Sequence, residues 1–562
     1  MTVHLISGQD DAVRRSMAYA LTALELADDQ QLIDLTVMRP DRRARKAETM
    51  FQHTPTPLID SWRSATVLER STQPGDVVLI SDRDGLGGVF ALQQRSRPVE
   101  ERRAVWTVAA DSFYLEWTFV AATFEGFPQQ LDSLIDWEIT QYRWSDRVLA
   151  TSPLAIEYLT RIGVDAELIV VPGDRLVPVG YPDADSVWAP DPVSRRAQTG
   201  EILRAMNSME RAAIAVSEEG RDDLVWTGTT WEALRHPRGV LGSRVSRSPG
   251  PPTGTTTVVI GDPFAVPTEE TRSLRGSGMP LVVPEGSVGS QIWPDSWVWR
   301  GSDGLVATFE QPGDPPKRAV STGSASPGPT PRSDPVSAIS VGIPVFGDVR
   351  YLDECVASVL GQELQPVEVF ILDDGSRSEE VDREMSRLAT LDPRIKLMRS
   401  EHRGVCVARN LIMEEMSGDS FLMIDSDDLL QPGFLAKCAR VLDSDDDLRA
   451  VATWTEFFGA YEGVEAKPPF DTRVGRRENP IISTGALVDM RVRDEGIRFA
   501  PDLAFLYCED WHFWSQIVAA GGRFGLVAEP LVRHRVHPSS GGYLRTDLAH
   551  AIGRARATEP LN

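Results

Sequence analysis

SFLMIDSDD, residues 420–428, is the stretch that decides the fold. Phe421, Leu422, Met423 and Ile424 form a short unbroken apolar run, which suits a strand covered on both faces of a parallel sheet. The run ends abruptly in Asp425, Ser426, Asp427 and Asp428. Upstream the same rhythm repeats. AISVGIPVF (338–346), VEVFILDDG (367–375) and RIKLM (394–398) read as further strands, and segments of helical period fill the gaps. In YLDECVASVLGQ, Leu352, Val356, Val359 and Leu360 recur at helical spacing. Two of these strands end in aspartates, so Asp373, Asp374, Asp425, Asp427 and Asp428 are expected near the carboxyl edge of one α/β sheet, where ligands of open sheets bind.

In an extended I-D-S-D-D, residues two apart share a side. Asp425 and Asp427 would then face one ligand, with Ser426 and Asp428 facing away. Paired carboxylates suit a hard cation. Mg²⁺ or Mn²⁺ would bridge carboxylate and diphosphate oxygens and stabilise charge as a nucleotide diphosphate leaves. Alone, a D-x-D reads as a solvated acidic turn, because so short a motif recurs by chance.

Working outward, the Pro-, Gly- and Ser-rich stretch 313–337 reads as an interdomain linker. Before it, DVVLISD (76–82), AVWTVAAD (104–111), RVLATS (147–152) and AELIVVPG (166–173) alternate with helical segments, the pattern of a parallel α/β layer. TTVVIGD (256–262) and MPLVVPEG (279–286) suggest a second, smaller lobe, with the Pro-Gly stretch 247–257 as a loop or lobe boundary. The expected organisation is 1–185 Rossmann-like, 186–312 a smaller α/β lobe, 313–337 linker, 338–545 the C-terminal domain and 546–562 a tail.

Asp plus Glu outnumber Lys plus Arg by 82 to 58, a net charge of -24, which disfavours nucleic acid as a partner. A phosphate-bearing ligand then needs a metal or a local basic pocket. The four cysteines, Cys355, Cys406, Cys438 and Cys508, show no paired spacing and read as reduced, buried thiols. No apolar run approaches the roughly 20 residues of a spanning helix, and the N-terminus lacks signal-peptide character. The chain reads as cytoplasmic, with peripheral contact at the inner face of the membrane left open.

VGIPVFGDVRYLDECVASVLGQ, VEVFILDDGS, GVCVARN, FLMIDSDDLLQPGF, EDWHFW and RHRVHPSS, in that order and spacing, resemble the family 2 glycosyltransferases of GT-A fold over roughly 338–540. The resemblance implies a nucleotide-diphospho-sugar transferase with Mn²⁺ or Mg²⁺ as cofactor, a UDP-sugar as expected donor and a glycan or lipid-linked acceptor. Position by position, Pro344 and Phe346 are similar to residues bordering the nucleotide base, and Asp374, alongside Asp373, to the carboxylate that binds uracil or its equivalent. Arg409 is similar to an arginine near base or diphosphate; its bland reading is a solvated surface arginine. Asp425 would contact the ribose and Asp427 hold the metal.

Glu509 and Asp510 open a segment in which Trp511, Trp514, Ile517 and Val518 recur at helical spacing. Simple capping would explain acids there. The resemblance makes Asp510, with Glu509 beside it, the general base that takes the acceptor proton. Trp511, Phe513 and Trp514 read as core packing. His537 matches a histidine that approaches metal or diphosphate, a role open to neutral imidazole or imidazolium respectively, and His534 fits that role less well. The chain departs from the pattern in two places: His402 stands where asparagine is common, and Ser515-Gln516 follow EDWHFW where many relatives carry arginine. No Q-x-x-R-W motif follows, which argues for single-sugar transfer rather than processive synthesis.

The N-terminal half resembles, through its strand order and the SDRVLATS segment, the acceptor-side lobe of a GT-B glycosyltransferase. Paired glutamates and a phosphate-cradling Gly-Lys segment are missing from 186–312, so it reads as a degenerate or acceptor-recognition module. The expected fold class is therefore α/β, with a GT-A domain after a Rossmann-like GT-B-type region. Two other functions are weighed: a non-catalytic sugar-nucleotide-binding or scaffold protein, and a nucleotidyltransferase. The last lacks its Gly-rich basic loop, since FGDVRYLDE follows the first C-terminal strand.

Overall fold

The computed structural model describes residues 3–7, 17–18, 20, 24, 30–34, 56–82, 85–110, 114–115, 132–169, 187–189, 205, 209, 214–217, 245–248, 257–259, 280–285, 287–288, 290, 296–310, 330–481, 484–506, 508–537 and 555–561. The chain divides into two compact units. One comprises Met1–Met38, Asp76–Gly87 and Ala104–Gly328. The other comprises Arg39–Gly75, Gly88–Arg103 and Pro329–Asn562, so helices α1 (Thr56–Ser71) and α2 (Gly88–Arg95) belong to it.

The first unit holds two six-stranded sheets, parallel throughout their described pairings. Strands β1 (Val3–Ser7), β2 (Gln30–Asp34), β3 (Val77–Ser81), β4 (Ala104–Ala109), β5 (Arg147–Ala150) and β6 (Glu167–Leu168) lie in the order β2-β1-β3-β4-β5-β6. Strands β7 (Val187–Ala189), β8 (Ile214–Ser217), β9 (Val245–Ser248), β10 (Thr257–Val259), β11 (Leu281–Pro284) and β12 (Trp297–Trp299) lie in the order β12-β11-β10-β7-β8-β9. β3 is buried along its whole length, as its apolar run requires. Helix α3 (Asp132–Trp144) packs Ile135, Ile139 and Tyr142 with Ala109, Val148 and Ala150, and α4 (Pro153–Arg161) adds Ala155 and Leu159 to the same cluster. α4 starts where the sequence permits: Ser152 caps the Ala155 N–H and Pro153 occupies the first turn. Helix α5 (Gly301–Glu310) follows β12. The end of the strand expected at 166–173 lies outside the described residues beyond Ile169, as do 249–256 and 313–329.

The second unit is built on a nine-stranded mixed sheet. Its strands are β13 (Ile339–Val345), β14 (Glu368–Asp373), β15 (Ile395–Arg399), β16 (Ser420–Met423), β17 (Leu429–Leu430), β18 (Leu448–Gly459), β19 (Gly463–Glu465), β20 (Ala486–Asp489) and β21 (Arg523–Val536). The order is β15-β14-β13-β16-β20-β18-β21-β17, with β19 paired to β18. β13 to β16 run parallel, so the aspartates after β14 and β16 share one edge, as expected. Helices α6 (Leu352–Leu360), α7 (Glu379–Ala389), α8 (Val405–Glu415), α9 (Phe434–Asp443), α10 (Thr472–Gly475), α11 (Arg491–Asp494) and α12 (Glu509–Ala519) complete the unit. α8 presses on β13 so closely that a Cβ at Gly342 would stand 2.6 Å from Ile412 Cγ2.

Residues 330–337, the last part of the expected linker, are fastened to this unit. Arg332 and Val336 donate their N–H groups to the Asp443 carbonyl and carboxylate, at 3.0 and 2.8 Å. Arg332 also forms a buried 2.6 Å ion pair with Asp489. At the other end Leu561 is buried, and its carbonyl accepts Arg476 Nη2 at 2.5 Å, so 555–561 dock rather than trail.

β21 brings the histidine segment to the acidic edge. Its pairing with β18 shifts register past Val527, where Trp454 meets Pro530, which has no N–H to donate. Beyond that bulge Arg533 and Val532 pair antiparallel with Leu429 and Leu430, directly after the acidic turn. Asp428, fully buried, locks the junction by accepting from the Arg535 N–H at 3.0 Å and from His534 Nδ1 at 3.0 Å.

Burial would lower the His534 pKa, but the Asp428 hydrogen bond and the charges of Asp428, Asp425 and Asp427 prevail and raise it to about 9. A raised folded-state pKa gives stability that is complete below about 6.5 and lost as pH climbs through about 9. Urea unfolding of the EDTA-treated protein should therefore show stability falling by up to about 3 kcal/mol over that window. Asp428→Ala should lower stability at pH 6 by about 3 kcal/mol and flatten the pH dependence.

Candidate active site

The acidic segment is not extended. After β16 the chain turns, and the Asp428 N–H donates to the Asp425 carbonyl at 3.1 Å, closing a four-residue turn. This corrects the expectation of strand alternation at Asp425, Ser426, Asp427 and Asp428. Asp428 does turn inward, but because it reaches His534 and Arg535, not because a pleat directs it. Asp425 and Asp427 remain half-buried on the turn.

Pro344 is buried at the end of β13, and Phe346, just beyond it, is 55% exposed. The Phe346 ring stacks on His402 with centroids 3.9 Å apart and planes 15° from parallel. Asp373 and Asp374 are both sunk. Asp373 Oδ1 accepts the Ser376 N–H at 2.9 Å and its hydroxyl at 2.5 Å, closing the D-D-G-S turn. Asp374 gathers Ser400 Oγ at 2.8 Å, the Gly404 N–H at 2.8 Å, the Arg403 N–H at 3.1 Å and His402 Nδ1 at 3.0 Å. The turn needs its glycine: Gly375 has φ +78°, and a Cβ there would lie 2.6 Å from the His402 nitrogen. Asp374 thus organises the 400–404 loop beside the exposed aromatic.

Arg409 is not a surface arginine. It is buried on α8, with Nη2 donating to Asp425 Oδ1 at 2.7 Å and Nη1 to Glu509 Oε1 at 3.0 Å. Its guanidinium also lies 5.3 Å from the centre of the Phe499 ring. One cation therefore joins the acidic turn to the start of α12. Glu509, expected beside the base, is held by that ion pair. Its Oε2 is buried and has no hydrogen-bond partner among the described residues.

Asp510 does not cap α12, since the N-cap is Cys508 without a side-chain bond. Asp510 Oδ1 accepts the Trp511 N–H at 2.7 Å, and Oδ2 accepts Asn479 Nδ2 at 3.1 Å. Burial first, and then the Glu509 carboxylate, push the Asp510 pKa up to about 7, with Arg409 and the Trp511 N–H pulling against them. Trp511, Phe513 and Trp514 are buried, and Phe513 stacks on Phe499 at 4.1 Å, as core packing requires.

Asp427 Oδ2 and His537 Nε2 stand 2.9 Å apart. Burial, then the charges of Asp428 and Asp425, raise the Asp427 pKa, with His537 opposing. A carboxylate strained by like charges, next to an imidazole nitrogen, is the kind of donor pair that a divalent cation relieves. Among the described residues no group of three His, Cys, Asp or Glu side chains surrounds one point. A cation here would take two protein ligands and draw the rest from diphosphate and water. His534, by contrast, is committed to Asp428.

Several residues escaped the sequence reading. Asn410 exchanges two hydrogen bonds with the Phe499 backbone, its Nδ2 to the carbonyl at 2.9 Å and its Oδ1 from the N–H at 3.0 Å. Arg535 donates Nε to the Asp427 carbonyl at 3.0 Å, pairs with Glu354 at 2.7 Å and lies 4.0 Å over the Tyr351 ring. The A-R-N and R-H-R-V-H strings contain both residues, but only the fold shows their targets. Asn479 carried no signal at all.

The glycosyl transferase family 2 profile matches residues 340–487. An uncharacterized glycosyltransferase of Haemophilus influenzae is 25% identical over 247 residues, which span 40% of this chain and 74% of that protein. Hyaluronan synthase of Pasteurella multocida is 30% identical over 118 residues, 21% of this chain but only 12% of the synthase. Among solved structures, S. aureus TarS 1-349 in complex with UDP aligns at 20% identity with a TM-score of 0.31, covering 36% of this chain and 61% of that one. The profile match begins in β13 and ends in β20, spanning the acidic edge, so the mixed α/β domain of the C-terminal unit carries a stretch that matches the glycosyl transferase family 2 model.

Proposed function

We propose that the C-terminal unit moves a sugar, with inversion, from a nucleotide-diphosphate donor, by preference a UDP-sugar, to an acceptor hydroxyl of a glycan or lipid-linked saccharide during cell-surface glycan or polysaccharide synthesis. Asp510 carries the proposal. It is a carboxyl raised to about 7 and linked to the acidic turn through Glu509, Arg409 and Asp425. A base tuned near neutrality can both lose and take up a proton at working pH.

In this reading Pro344 and Phe346 border the base, Asp373 and Asp374 shape the loop around it, and Asp425 faces the ribose. Asp427 and His537 would hold Mn²⁺ or Mg²⁺, which when bound supplies positive charge to the leaving diphosphate. Asp510 removes the acceptor O–H proton. The acceptor oxygen forms its bond to the anomeric carbon while the bond from that carbon to the diphosphate oxygen breaks, and the diphosphate keeps the electron pair. One displacement inverts the anomeric centre. Glu509 stays ion-paired to Arg409, and its charge keeps Asp510 basic. Among the described residues no helix is long and apolar enough to cross a membrane, so a lipid-linked acceptor would be met at the membrane surface. The two parallel-sheet lobes of the other unit are read as an acceptor-recognition module.

Calorimetric titration with UDP and Mn²⁺ should give saturable binding that weakens at least tenfold in Asp427→Ala; equal binding by that variant would remove Asp427 from the metal. Asp510→Asn should keep UDP affinity while UDP release from a sugar nucleotide drops by about 10² to 10⁴. Unchanged release would refute the base assignment. Because the base acts ionised, kcat/KM should rise about tenfold per pH unit below about 7 and level off above it.

A further inference from the structure

Asn479 lies in the loop between α10 and β20. Its side-chain oxygen accepts the Ile481 N–H at 3.2 Å, and its nitrogen donates to Asp510 Oδ2 at 3.1 Å. The first bond fixes the polarity of the second. A carboxamide whose oxygen is engaged by its own loop presents its NH₂ to the other side, so the group meeting Asp510 is a donor. With the Trp511 N–H on Oδ1, both carboxylate oxygens have a fixed partner, and each keeps a second lone-pair direction for a substrate proton.

The loop around Asn479 is itself pinned. Trp511, the residue after Asp510, donates Nε1 to the Gly475 carbonyl at 2.8 Å. Asp471 caps α10 by accepting the Val474 N–H at 2.8 Å, and Glu478 pairs with Lys467 at 2.5 Å. Gly475 packs against Phe470, whose ring carbon would lie 2.6 Å from an added Cβ. The base and the loop that faces it are thus tied together twice, once through Asp510 and once through Trp511.

We propose that Asn479 is a positioning residue for the catalytic base: its amide holds the Asp510 carboxylate ionised and in the rotamer from which it takes the acceptor proton. The inference rests on the assignment of Asp510 as base. A donor to the charged form opposes the burial and the Glu509 charge that raise this carboxyl. Removing it would leave less of the base ionised at neutral pH and would free its orientation.

The test uses the full-length chain with Mn²⁺ and follows UDP release from whichever of UDP-glucose, UDP-galactose or UDP-N-acetylglucosamine it turns over, water replacing the acceptor. Asn479→Ala and the isosteric Asn479→Asp should lower kcat by about tenfold to a hundredfold with KM within about twofold of wild type. In Asn479→Ala the acidic limb of kcat/KM should move up by about one pH unit, and in Asn479→Asp by more, because a like charge replaces the donor. UDP affinity at the wild-type value certifies that each variant is folded. Either folded variant showing the wild-type acidic limb and kcat overturns the proposal. If Asp510→Asn is inactive while both Asn479 variants match wild type, the base assignment survives and only the role of Asn479 fails. If Asp510→Asn is fully active, the base assignment itself fails, and this proposal with it.

Discussion

The repulsion among five carboxylates at one sheet edge is the constraint on which the rest of the C-terminal unit depends. Asp425, Asp427 and Asp428 share a single turn, and Glu509 and Asp510 begin the helix linked to it by Arg409. Two like charges about 4 Å apart repel by roughly 4 kcal/mol even at an effective dielectric of about 20, a sizeable share of a domain's net stability. Four of the five acids therefore have a basic partner. Asp428 takes His534, Asp425 and Glu509 share Arg409, and Asp427 faces His537. Among the described residues Asp510 is met by N–H donors and by no ion-paired cation, and its carboxyl is the one raised to about 7. In the proposed reading, this balance of charges is what singles out Asp510 as the base.

That arrangement explains why β21 must be long and bulged. The basic residues His534, Arg535 and His537 reach the turn only because the chain continues beyond Pro530 and β21 pairs with β17. A regular strand of average length would stop short of it. Arg535 then serves the turn with backbone and side chain together, its N–H on Asp428 and its Nε on the Asp427 carbonyl. The geometry around Asp427 and Asp428 is thus fixed by elements about a hundred residues apart in sequence.

The strands, the shared edge and the helix start at Glu509 were legible because each rests on local rules: apolar runs of strand length, helical spacing and acids at a helix N-terminus. The turn at 425–428 was not, because four polar residues after a strand are compatible with both extended and turned backbone, and only the pull of His534 and Arg535 on Asp428 decides between them. For a related reason the sequence left open whether Arg409 is a site residue or a solvated side chain. An arginine on a helix reveals its burial only when the partners that neutralise it are known, and here they come from two other segments. Asn479 was invisible because an amide carries no charge and no periodicity, and its importance lies wholly in what stands opposite it.

His402 shows how a departure from a family pattern acquires meaning from its contacts. The ring is 3.9 Å from Phe346 on one face, and its Nδ1 engages Asp374, so it joins the exposed aromatic to the buried carboxylate that shapes the 400–404 loop. Asparagine at the same position could still bond a carboxylate but offers no aromatic face to Phe346. The substitution therefore changes the apolar surface at the mouth of the edge while conserving the polar link beneath it. Such a change alters what the mouth can stack against and does not involve the contacts that hold Asp427 and Asp510. In the proposed reading, selectivity and chemistry are thus separable in this unit, because Phe346 and His402 share no contact with the groups that hold Asp427 and Asp510.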